Sequence, residues 1–87
     1  MRNIMDYMFI IDFVGDAAAT FARAKAAVEQ AGGKIDGNPN AGTVSGKGVK
    51  ASYMFGASTI RIVIQEKPWY APVSMVEKRV REFFAAS

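Results

Sequence analysis

The sequence predicts an α+β domain, a single antiparallel sheet of four to five strands in β-α-β-β-β-β-α order with two helices on one face. Three observations predict it. An alternating aromatic run ends at Gly15 and gives way to alanine-rich helical spacing, which stops at Gly32-Gly33. Glycine-punctuated alternating segments then fill Ala41 to Gln65, and an amphipathic stretch follows Lys67-Pro68-Trp69-Tyr70-Ala71-Pro72.

Tyr7, Phe9, Ile11 and Phe13 alternate with Met8, Ile10 and Asp12, which places a first strand near Ile4–Val14 with its aromatic set toward the core. Asp16 is an N-cap candidate, and Ala17, Phe21, Ala24, Val28 and Ala31 recur at helical spacing, so a helix runs from roughly Asp16 to Ala31. Its stripe is mostly alanine, which lets the backbone lie close to a sheet, and Arg23, Lys25, Glu29 and Gln30 point outward. Lys34-Ile35-Asp36 reads as a short strand and Gly37-Asn38-Pro39-Asn40 as a turn that reverses the chain. Thr43–Ser45, Val49–Phe55 and Ser58–Gln65 are further strands whose tight links argue for an antiparallel meander. In the last of them Ile60, Ile62 and Ile64 share the face that meets the helices. Pro68 cannot continue a central strand, and Ser74 and Glu77 match a capping box at the start of a second helix near Pro72 or Ser74. Val73, Val76, Val80, Phe83 and Phe84 form its buried stripe, with Lys78, Arg81 and Glu82 on the far side.

A chain of 87 residues forms one domain, spanning 1–87, and buries roughly 60–65% of its unfolded surface. Hydrophobic residues at 51% and charged ones at 22% fit a globular core. With no cysteine and no histidine the chain lacks disulfides, thiolate nucleophiles, the commonest general base and the commonest metal ligand, and no cofactor is expected. A cytoplasmic setting is consistent with that. The apolar run Tyr7–Ile11 is bracketed by Asp6 and Asp12 and is too short for a bilayer, so it reads as a strand and no transmembrane segment is expected. The formal charge of +3 is spread along the chain, and Lys78, Arg79 and Arg81 read as a solvated helix face balanced by Glu77 and Glu82.

The face of the sheet left uncovered carries Asp6, Met8, Ile10 and Asp12 from the first strand, Met54 from the middle, and Arg61, Val63 and Gln65 from the last. Met8, Ile10, Met54 and Val63 form an apolar patch edged by Lys50 and Arg61, the kind of patch that marks association. A homodimer through this face or an adjacent edge strand is the expectation. Trp69 and Tyr70, between two prolines, make a stiff aromatic platform for a ligand, against the structural reading in which Trp69 plugs the end of the core. Gly42-Thr43-Val44-Ser45-Gly46-Lys47-Gly48 fails the spacing of a phosphate loop and reads as a bulged hairpin.

From Gly42 to Phe84, glycine-punctuated strands lead through Ile60-Arg61-Ile62-Val63-Ile64 and a proline to Val76-Glu77 on an amphipathic helix. This layout resembles that of the putative polyhydroxyalkanoic acid system proteins, which are linked to bacterial storage-polyester granules. The resemblance implies a cytoplasmic accessory protein of bacterial type with an amphipathic surface, and it carries over no catalytic residue.

The reading is a non-enzymatic module that self-associates or docks on a hydrophobic surface or ligand through Met8, Ile10, Met54, Arg61 and Val63 or through Trp69 and Tyr70. The alternative is a basic nucleic-acid-binding domain using Lys50, Arg61, Lys67, Lys78 and Arg81. An enzyme acting through Asp6, Asp12, Tyr53 or Lys67 is the third reading.

Overall fold

The helix-period and strand-period segments fold in the predicted order. The computed structural model describes residues 2–85, with side chains from residue 7 onward. Its elements are β1 (Arg2–Asp12), α1 (Ala17–Gln30), β2 (Lys34–Gly37), β3 (Ala41–Gly46), β4 (Val49–Phe55), β5 (Thr59–Pro68) and α2 (Val73–Ala85). The five strands lie in spatial order β1-β5-β4-β3-β2 with every neighbouring pair antiparallel. β2 to β5 form a meander, β1 closes its far side against β5, and α1 carries the chain from one edge of the sheet to the other.

Both helices cover the isoleucine face. Ile60, Ile62 and Ile64 are at most 1% exposed. α1 buries Thr20, Ala24 and Val28, and α2 buries Val76, Val80 and Phe84. Asp16 caps α1 by accepting from the Ala19 amide, and Gly32 at φ 88° lets the Gly33 amide reach back to the Val28 carbonyl, a Schellman ending.

The core differs between its two ends. At one end Phe13, Phe21, Tyr53, Phe55 and Phe84 interlock, with Tyr53 and Phe55 edge-to-face at 5.8 Å between ring centres. The Tyr53 ring lies over the facing pair Gly37 and Gly42, and its hydroxyl donates to the Asn38 carbonyl at 2.9 Å. A Cβ on Gly42 would collide with the Asp36 carbonyl oxygen and stand 2.6 Å from that hydroxyl oxygen, so glycine is required by the close approach. At the other end the facing residues of α1, β3 and α2 are valines and alanines, which fill less space.

Two local expectations are corrected. The Gly42–Gly48 segment is a regular hairpin whose two-residue loop, Lys47-Gly48, has φ of 53° and 81°, the signs of a type I′ turn. The bulges fall elsewhere. β1 holds one extra residue between Ile4 and Tyr7, and β5 holds one between Ile64 and Glu66 opposite β4. The second bulge reverses the alternation of β5, so Lys67 faces inward, 8% exposed, with its ammonium group donating to the Pro68 carbonyl at 3.3 Å. The capping box does not form: α2 starts at Val73 with the Pro72 carbonyl accepting from the Met75 and Val76 amides, and Glu77 is engaged by Tyr7 and Arg81.

Candidate functional site

On the open face the cross-strand register brings the predicted residues together. Met8 stands opposite Val63, which stands opposite Ser52; Ile10 stands opposite Arg61, which stands opposite Met54. Opposed side chains on one face lie about 5 Å apart, so these residues form one block across β1, β5 and β4. Met8 is 53% exposed, Ile10 41% and Met54 56%, with Val63 half-buried among them. Exposed Arg61 sits between Ile10 and Met54, and Asp12, opposite Thr59, marks one end of the block. Toward β3 and β2 the face turns polar with Thr43, Ser45, Lys34 and Asp36, the last two paired at 3.5 Å. The Asp6 side chain lies outside the described residues.

The link from β5 to α2 does not bury its tryptophan. The Ala71 amide donates to the Pro68 carbonyl at 3.1 Å, closing a turn with Trp69 and Tyr70 at its two central positions. Both therefore project outward, 66% and 71% exposed, edge-to-face with ring centres 5.9 Å apart, and small Ala71 is the residue that enters the core. Trp69 is no plug. Tyr70 stands on the wall of a cavity of about 290 Å³ at the valine end of the core; Trp69 does not line it. The cavity is a half-open recess bordered by the end of α1, the β3–β4 hairpin tip, the link from β5 and the first half of α2, and among the described residues its cationic lining residues are Lys47 and Arg79, with no acidic one.

The side chains of the remaining candidates are dispersed. Lys50 and Arg61 project on the open face, Lys67 on the helix side beneath it, Lys78 on the outside of α2, and Arg81 on the flank of α2 toward β1. Tyr53 is buried by its helices. It lies opposite Ile62, five residues along β5 from Lys67, or about 16 Å at strand rise. Asp12 is exposed at the far end of β1. Among the described residues no group of three or more acidic side chains could hold a metal ion, and no helix is long and apolar enough to cross a membrane.

A second polar arrangement was illegible in the sequence. Tyr7 donates to Glu77 at 2.7 Å, Arg81 donates to the same carboxylate at 2.8 Å, and the Arg81 guanidinium lies 4.9 Å from the centre of the Phe9 ring. Arg81 thus clips α2 to β1 rather than standing free on the solvated face. The hydrogen bond from Tyr7, then that from Arg81, holds the Glu77 carboxyl below its usual range, and the bond to Glu77 together with burial pushes the Tyr7 phenol up. Burial, and after it the Asp36 carboxylate, pushes the Tyr53 phenol up as well. Glu77 and Tyr7 are 70 residues apart in the chain, beyond any local pattern.

No protein-family model, curated protein or solved structure matches the chain.

Proposed function

We propose that this chain is a non-enzymatic assembly module that pairs with a second copy of itself through the open face of its sheet. The observation that supports it is the registered block of Met8, Ile10, Met54 and Val63 on three adjacent strands. Single exposed apolar residues are ordinary on a protein surface, whereas a contiguous group on one face leaves a patch that water covers poorly. A two-fold interface requires a self-complementary surface. The block offers apolar side chains on either side of Arg61, with Asp12 near one end, so both charge signs are at hand for a two-fold pairing in which Arg61 of each copy meets Asp12 of the other.

Light scattering after size exclusion tests this in the native chain and in the double variant Ile10→Lys, Val63→Lys. The native mass is expected to be twice the 9.4 kDa of the chain at low and high salt alike, and the variant a folded monomer. A native monomer under every condition overturns the reading and leaves the face to a hydrophobic surface, such as the granule that the resemblance implies. A mass or a nucleic-acid affinity that collapses steeply with salt favours the basic alternative.

A further inference from the structure

The geometry points to a second, independent site: the cavity at the valine end is a receptor for a single-chain aliphatic carboxylate, its tail against Val49, Pro68, Met75 and Phe83 over a floor of buried valines and its head at Lys47 and Arg79. Three observations meet there. The cavity of about 290 Å³ is at the small end of ligand pockets, so it suits a short tail better than a long fatty chain. Its interior offers no charged group, while its rim carries two cations and no carboxylate, so the charge pattern complements an amphipathic anion. Among the described residues Arg79 makes one ion pair, exposed, to Glu82 at 3.8 Å, the weak kind, and Lys47 makes none.

The third observation is conformational. Lys47 occupies the first loop position of a hairpin at φ 53°, a left-handed backbone that asparagine and glycine adopt more readily than lysine. A cation thus stands at the rim in the conformation least suited to it, on a hairpin tip packed so near Pro68 that a Cβ on Gly48 would come within 3.0 Å of the Pro68 ring. Strain at a ligand's entrance is a recurrent mark of a residue held for binding.

Titrating the full chain with hexanoate, octanoate, decanoate and decan-1-ol, each as monomers in solution and followed by NMR shifts, tests the site. Decanoate is expected to saturate one site, with shifts centred on Val49, Met75 and Phe83 and affinity rising up to about fourfold per methylene along the series. The variant Lys47→Asn with Arg79→Gln keeps the turn and is expected to bind decanoate about five- to tenfold more weakly while binding decan-1-ol as the native chain does. Lack of saturable decanoate binding, or undiminished affinity in that variant, overturns the proposal, as do shifts centred on Met8, Ile10 and Met54. The cavity lies on the helix side of the sheet, so the Ile10→Lys, Val63→Lys variant is expected to keep its decanoate affinity, and failure of either proposal leaves the other standing.

Discussion

Lys47 holds its left-handed backbone at a cost of roughly 1–2 kcal/mol for a residue with a Cβ. Lys47→Asn is therefore expected to raise unfolding stability by about 0.5–1 kcal/mol in denaturant titrations; a lower stability would mean that the lysine side chain makes a contact worth more than the strain. The Tyr7–Glu77–Arg81 clip makes a pH prediction. Because the Glu77 carboxyl is lowered in the fold, its contribution is present above the unfolded glutamate range and is lost as pH falls through its lowered folded value. Tyr7→Phe removes the largest cause, so the variant is expected to lose less stability than the native chain between neutral pH and pH 3 (denaturant midpoints at about 3 and 7 would show it). An equal loss would assign the acid sensitivity to other carboxylates. The phenol of Tyr7 runs the other way, its contribution being present below the unfolded tyrosine range and lost as pH rises through the raised folded value.

At the scale of elements, what was legible was what a short period writes. Ile60, Ile62 and Ile64 alternate because one face of β5 is core, and Gly32-Gly33 ends α1 because only the chain's own backbone is needed to close the Schellman bonds. What was illegible depended on partners remote in the chain. The bulge in β5 answers the pairing with β4 and turns Lys67 inward, whereas simple alternation carried past Ile64 puts Lys67 with Gln65 on the open face. Ser74 and Glu77 have the spacing of a cap, but Tyr7 competes for the glutamate, and Trp69 is exposed because the turn bond from Ala71 to Pro68 lifts it away. The glycine bed of Tyr53 shows the same coupling between strands. Gly42→Ala is expected to destabilise by about 1–3 kcal/mol, most of it from the Asp36 carbonyl the new methyl meets first, and a minor part should return when Tyr53→Phe removes the hydroxyl it also meets. Thermal melts of the two single variants and the double variant measure this coupling; strictly additive losses would show that the methyl is accommodated without touching the ring.

For the whole molecule, two helices over one face of a five-stranded sheet leave the other face uncovered, and on this chain that face groups Met8, Ile10, Met54 and Val63 around Arg61 over β1, β5 and β4. This much of the site could be read from alternation, since Met8 and Ile10 occupy positions that a solvated sheet face would give to polar residues. The cavity could not, because it exists only where the alanine- and valine-bearing ends of α1 and α2 meet the hairpin tip. The proposed assembly face and the proposed ligand site thus lie on opposite sides of one sheet. The pairing is the central claim, and intermolecular methyl contacts test it most directly, measured by isotope-filtered NOE spectra on a sample mixing labelled and unlabelled chains. Contacts from Ile10 and Met8 to Val63 and Met54 of the second copy are the result expected; spectra without intermolecular contacts, or with contacts confined to the edge-strand backbone of β1 or β2, would contradict it.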